Sequence, residues 1–242
     1  MAIKIVNLKK EYSDVVAVNN MNLEIHKGEL FSLLGINGAG KTTLIKMLST
    51  LVKPTSGDAY IMGHSIINET DKVKEYIDIS MQETAIARKL TVSENIEFYA
   101  SLNGQSKDEV KETKRYLYEV FNLDKVKNKI ACKLSGGWQR KLSIALALVS
   151  KPKILFLDEP TLGLDVIARR ELWETIKRLK ESMTIILTTH YMEEAEELSD
   201  RIGIMAYGKL LYVGNKEDLF IKTNTSKVED AFISVVGGNL YE

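Results

Sequence analysis

A single cysteine, no net charge and no long apolar run exclude several protein classes before any motif is read. Cys132 is the one cysteine in 242 residues, so no internal disulfide can form. A lone thiol fits a reducing compartment and reads as a small packed side chain. Lys and Arg number 33 and so do Asp and Glu, which leaves no basic excess of the kind nucleic-acid binders show. No nucleic-acid partner is expected. No apolar run approaches the ~20 residues of a membrane-spanning helix. The longest runs, 144–149 and 154–157, have the length of core elements, so any membrane role places the spans on another chain. The opening MAIKIVNLKKEY alternates like a strand and lacks the apolar region of a secretory signal.

What is present fits a soluble α/β protein. Hydrophobic residues make up 45% and charged residues 27%, and a chain this long buries roughly 70–75% of its extended surface without staples. Residues 3–8, 22–25 and 58–62 read as strands with polar edges, and 29–34 as a denser strand. Helical spacing follows over 41–51. From 91 to about 128 the chain is polar and mostly helical, like an insert beside a sheet. A helix over 135–150 opens on a Gly-Gly turn. The apolar runs 154–157 and 185–189, with a helix over 168–180 between them, give the strand–helix–strand rhythm of a parallel sheet. A further strand is expected over 202–205. The acidic run 193–197 reads as a solvated helix face, and His26 and His64 as surface residues.

Between the strand 29–34 and the helix at 41 stands Gly35-Ile36-Asn37-Gly38-Ala39-Gly40-Lys41-Thr42, which fits G-x-x-x-x-G-K-[ST] in the required context. Glycines let the backbone wrap close to phosphates, so that successive N–H groups converge on oxygen. The helix start adds its positive end, about 0.3–1 kcal/mol per interacting charge. Lys41 brings a full charge to the β- and γ-phosphates, and Thr42 a hydroxyl to Mg²⁺.

Two further elements narrow the reading. The strand 154–157 ends in Asp158 and Glu159. Asp158 suits Mg²⁺ held through water, and Glu159 is placed to polarise an attacking water. Leu134-Ser135-Gly136-Gly137 opens a helix with free N–H groups, a second anion site with nothing in its own half to bind. A γ-phosphate delivered by another copy would fill it.

The sequence resembles the ABC transporter ATPase family over nearly its whole length. The resemblance rests on Tyr12, the loop from Gly35 to Thr43, Gln82, Leu134-Ser135-Gly136-Gly137, Asp158-Glu159, Gly163-Leu164-Asp165 and His190, in the family's order. It implies a P-loop (RecA-like) α/β core with a mostly parallel sheet, an N-terminal antiparallel β-subdomain and an inserted α-helical subdomain. In one ABC ATPase domain, 1–83 and 149–222 would form the core with its β-subdomain, 84–148 the helical subdomain and 223–242 a C-terminal helical extension.

The same resemblance implies roles. Tyr12 would stack on adenine, and Gly35, Asn37, Gly38, Ala39, Gly40, Lys41, Thr42 and Thr43 would hold the phosphates of ATP. Thr42, Gln82 and Asp158 would hold Mg²⁺. Lys41, Gln82, Glu159 and His190 would form the catalytic set, His190 reaching the γ-phosphate. Ser135, Gly136, Gly137 and Asp165 would reach ATP across a head-to-tail dimer, Asp165 also serving as a helix cap. Trp138 departs from the family's usual Gln and puts local packing at that interface in doubt. The partners implied are a second ATP-binding domain, identical or different, and an integral-membrane permease on a separate chain. The location implied is the cytoplasmic face of the membrane. Residues 90–99 and Val228-Glu229-Asp230-Ala231-Phe232 resemble the ABC-2-type exporter branch. An importer ATPase and a soluble ABC ATPase acting on a macromolecular complex are the alternatives. Asn215-Lys216-Glu217-Asp218 and Asp200-Arg201-Ile202-Gly203 fit guanine-nucleotide patterns, but they lie too close together at the far end to serve a GTPase.

Overall fold

The computed structural model describes residues 1–238; the last four residues of the expected extension 223–242 lie outside it. The chain opens on a hairpin of β1 (Ile3–Tyr12) and β2 (Val15–Ile25), paired antiparallel from Ile3 opposite Ile25 to Tyr12 opposite Val15. β3 (Leu30–Leu34) is wholly buried and delivers the glycine loop to α1 (Lys41–Leu48). β4 (Ser56–Ile61) returns beside β1, and β5 (His64–Ser65) completes an antiparallel sheet in the order β2-β1-β4-β5. α2 (Thr70–Lys74) leads to β6 (Ile77–Ser80).

Helices then take over. α3 (Val92–Leu102) and α4 (Lys107–Phe121) both start on capping boxes, Thr91 with Glu94 and Ser106 with Glu109. Each box satisfies two helix-end donors that would otherwise be orphaned, which fixes where the helix begins. Short 3-10 turns at Leu123–Val126 and Ala131–Lys133 lead to α5 (Gly136–Ala147). The remainder alternates: β7 (Ile154–Asp158), α6 (Val166–Lys180), β8 (Thr184–Thr189), α7 (Met192–Leu198), β9 (Arg201–Ala206), β10 (Lys209–Gly214), α8 (Lys216–Thr223) and α9 (Val228–Gly238).

Among the described residues the larger sheet has the order β10-β9-β3-β8-β7-β6, parallel except for β10. Its central strands β3, β7 and β8 are buried along their whole length because both faces are covered. Leu155 and Leu157 of β7 pack with α5 and α6 on one side, while Ile154 and Phe156 pack with α1 and the antiparallel sheet on the other. Leu34 lies opposite Thr189 and Asp158 opposite Thr188, so β3, β7 and β8 end side by side. Ligands of parallel α/β sheets bind at such carboxyl ends.

One strand was missed and three expectations need correction. β6 was not anticipated: its four residues carry a half-buried Asp78 and offer too little periodicity. Cys132 is exposed rather than packed, because the 3-10 turn buries its neighbour Ala131 instead. Glu194 is fully buried on α7, where its carboxylate accepts the Trp173 indole N–H at 2.9 Å, so the acidic run is not a wholly solvated face. His64 is partly covered, stacked on Tyr76 at 5.7 Å and bonded to Glu69.

Candidate functional site

The glycine loop is shaped by what crowds it. A Cβ on Gly35 would lie 2.4 Å from the Met205 carbonyl oxygen, and one on Gly40 would lie 2.1 Å from the Ala17 carbonyl oxygen. Gly40 also sits at φ 103°, a left-handed conformation that glycine adopts without strain. The loop is tied down at Gly35, whose N–H donates to the Thr189 carbonyl, and at Ala39, whose carbonyl accepts the Gly208 N–H. It is thus wedged between the ends of β8 and β9 and the start of β2.

Lys41 begins α1 and turns back under the loop. Its ammonium donates to the carbonyls of Gly35 at 2.7 Å and Ile36 at 3.2 Å, and lies 3.5 Å from Glu159. Burial pulls its pKa below the ordinary lysine value; Glu159 and Asp158 push the other way. Asp158 is fully buried. Its Oδ1 accepts the hydroxyls of Thr188 at 2.5 Å and Thr42 at 3.2 Å, while Oδ2 has no partner. A buried carboxylate oxygen without a partner is costly, and a cation beside it removes that cost. A carboxylate with a threonine hydroxyl is a hard oxygen set. It suits Mg²⁺, which is usually bound by one or two carboxylates together with substrate phosphates. The chain's own residues therefore fit the ion.

Glu159 adopts φ 48°, left-handed for a residue with a side chain, at a cost of about 1–3 kcal/mol. Its N–H donates to Thr188 Oγ1 at 3.1 Å. The strained turn places one carboxylate oxygen against Lys41 and the other 3.2 Å from His190 Nδ1. His190 reaches that position from the loop after β8.

These groups line a cleft of about 720 Å³ that brings together Asn37, Gly38, Ala39, Gly40, Lys41, Thr42, Thr43, Gln82, Glu159 and His190. Gly35 and Asp158 are not among its lining residues, and Asp158 lines an adjoining hollow with Thr42 and Gln82. Tyr12 is not among its lining residues: it is half exposed at the end of β1, with Lys10 Nζ 4.8 Å from its ring centre. Val15, Val16, Ala17 and Tyr207 line the cleft and were not anticipated.

Ser135, Gly136, Gly137 and Asp165 stand apart from the cleft. Ser135 is the N-cap of α5, yet its hydroxyl makes no capping bond. A Cβ on Gly137 would lie 3.1 Å from Ala168, so the start of α5 abuts the start of α6. Asp165 caps α6 through the N–H groups of Ile167 and Ala168 at 3.0 and 2.9 Å. Trp138 is partly buried against the helical core, with Lys141 Nζ 4.9 Å from its ring centre. Arg140 was also missed: it donates to the carbonyls of Met81 at 2.7 Å and Gln82 at 2.5 Å and so ties α5 to the loop carrying Gln82. The guanine-type motifs have local duties instead. Asn215 caps α8, and Asp200 accepts the Leu30 N–H.

A parallel sheet, a wedged glycine loop with its buried lysine, and a strand ending in paired carboxylates define a P-loop nucleotide-binding domain. The chain belongs to the ABC transporter family, whose model matches residues 18–162. It is 40% identical over 240 residues to the linearmycin resistance ATP-binding protein LnrL of Bacillus subtilis, covering 95% of this chain and 77% of LnrL. It is 42% identical over 224 residues to the phospholipid-transporting ATPase ABCA3 of Homo sapiens, covering 91% of this chain but only 13% of that protein. Among solved structures, cbiO1 from Clostridium perfringens, part of the ABC transporter complex cbiONQ, aligns with a TM-score of 0.84 at 28% identity over 91% of each chain. The ATP-binding cassette MJ0796, a dimer in a post-hydrolysis state bound to ADP and Pi, aligns with a TM-score of 0.79 at 27% identity over 88% of this chain and 98% of that one. Among the described residues no helix is long and apolar enough to cross a membrane.

Proposed function

We propose that this chain hydrolyses ATP as the motor of an exporter whose membrane-spanning permease is a separate chain, working at the cytoplasmic face of the membrane. The observation that carries the proposal is Glu159, held in a strained turn between Lys41 and His190 at the mouth of the glycine loop. Lys41 and the loop N–H groups would bind the phosphates. Glu159 would orient a water against the γ-phosphorus and accept its proton as the bond to the ADP oxygen breaks. His190, hydrogen-bonded to Glu159, would contact the γ-phosphate. Asp158, Thr42 and Gln82 would hold Mg²⁺, which supplies charge neutralisation on the phosphates when bound.

The second half of the proposal concerns Ser135, Gly136, Gly137 and Asp165. The uncapped Ser135 hydroxyl and the open α5 start would meet the γ-phosphate of ATP bound to a second, identical or different, cassette. The expected division into 1–83 with 149–222, 84–148 and 223–242 assigns the cleft to the core and Ser135 to the helical part. The MJ0796 dimer supports this reading by analogy, as LnrL and ABCA3 support export. The test is Glu159→Gln. It should keep ATP binding, lower turnover by about 10²–10⁴ and accumulate an ATP-dependent dimer on gel filtration. Unchanged turnover would refute the assigned role.

A further inference from the structure

The residues lining the cleft fall into two chemical groups. Lys41, Glu159, His190 and the loop N–H groups are charged or polar, while Val15, Val16, Ala17 and the turn Tyr207-Gly208 supply apolar surface and one aromatic ring. A nucleoside triphosphate seated by its phosphates needs such a surface for its base.

That ring sits where turn chemistry does not favour it. Ala206 pairs with Lys209, so Tyr207 and Gly208 form a two-residue hairpin loop between β9 and β10, with φ of 51° and 75°. Positive φ at both central residues is the geometry that prefers Asn-Gly or Gly-Gly, and a bulky side chain there is an outlier. Local strain of this kind clusters at ligand sites. The turn is also held firmly. The Asn19 N–H donates to the Gly208 carbonyl at 2.8 Å, and the Gly208 N–H donates to the Ala39 carbonyl at 3.1 Å. Gly208, the residue after the ring, is thereby pinned to the phosphate loop and to β2. Tyr207 is 55% exposed on that anchored turn, at the lip of the cleft.

We propose that Tyr207 is a base-contacting residue, giving the nucleobase an aromatic face that Tyr12, outside the cleft lining, does not provide alone. This presupposes the nucleotide reading of the cleft given above. Base–aromatic stacking tolerates any base, so Tyr207 would strengthen binding without making it specific for adenine.

The experiment measures dissociation constants of the full chain for ATP and for inorganic tripolyphosphate, with Mg²⁺, by titration calorimetry. Tyr207→Ala should weaken ATP on the order of tenfold and leave tripolyphosphate unchanged, while Tyr207→Phe keeps both. Tyr207→Asn suits the turn better, so it should fold at least as stably as the parent and still lose the ATP increment. Tyr12→Ala, measured alongside, ranks the two rings. Wild-type ATP affinity in both Tyr207→Ala and Tyr207→Asn overturns the proposal while leaving the nucleotide reading intact. Equal weakening of ATP and tripolyphosphate also overturns it, since the ring would then act through the loop. No ATP binding by the parent chain overturns the nucleotide reading itself.

Discussion

Two glycine-bearing helix starts in this molecule are built on opposite plans. At α1 the charged side chains near the helix end are engaged within the chain. Lys41 binds two loop carbonyls and faces Glu159, while Asp158 takes the hydroxyls of Thr42 and Thr188. At α5 the N-cap serine bonds nothing on its own helix, and Ser135 and Gly136 face solvent. Among the described α-helices, the other Ser, Thr, Asp and Asn N-caps, Thr91, Ser106, Asp165 and Asn215, each accept a bond from the helix they start, whereas Glu69 and Tyr191 do not. A serine N-cap used in that way contributes about 0.5–2 kcal/mol. Ser135 forgoes it, and its free hydroxyl is what the proposed contact with a second cassette would use.

The sharpest way to break this contrast is Lys41→Met. The variant removes the ammonium shared by the loop carbonyls and Glu159, so phosphate binding by the single chain should suffer. Charge-assisted contacts contribute about 1.5–3 kcal/mol, so ATP should bind roughly ten- to a hundredfold more weakly. Calorimetry on the monomer, with circular dichroism to verify folding, measures this. Unchanged affinity would mean that the lysine only braces the loop.

Ser135→Ala tests the other half and should separate from it cleanly. ATP affinity of the dilute monomer should stay at the parent value, because Ser135 does not line the cleft. Turnover at concentrations where cassettes associate should fall by about tenfold, one lost charge-assisted bond. A parallel loss of monomer affinity would merge the two half-sites into one and remove the reason for a facing dimer.

How far the sequence revealed these halves depends on what each residue does. The glycine loop, Asp158 and Glu159 were legible because an apolar strand ending in a fixed polar pattern has few other uses. That a helix starts at Ser135 was legible from the Gly-Gly pair that follows it. Arg140 was not: a cation one turn into a helix looks solvated, and only the fold brings the Met81 and Gln82 carbonyls to it. Val16 and Tyr207 were missed because that part of the cleft is assembled from a hairpin and a distant turn, joined by backbone bonds that leave no mark on side-chain identity. Glu194 was misjudged because three of its acidic neighbours, Glu193, Glu196 and Glu197, hide a single inward-facing position in the run.

Glu194 also gives the smallest predicted effect, one that belongs to neither half-site. Its carboxyl is fully buried beside Trp173. Burial raises its pKa above the ordinary value of 4.5, with Thr189 and Trp173 opposing. A raised folded pKa means that the fold prefers the protonated acid. That preference contributes stability in full below about pH 4.5, and the contribution is lost as pH rises through the folded value. Glu194→Gln keeps the acceptor for the Trp173 N–H and removes the buried charge. The variant should therefore melt a few degrees higher at neutral pH, about 2–4 °C for each kcal/mol gained. The gain should shrink as the buffer becomes more acidic, because protonation removes the buried charge from the parent as well. Thermal melts of both proteins across pH 4.5–8 read this directly. A gain independent of pH would place the benefit in packing rather than charge, and a loss at neutral pH would show that the carboxylate holds a cationic partner such as Arg169, whose Nε is buried and unpartnered.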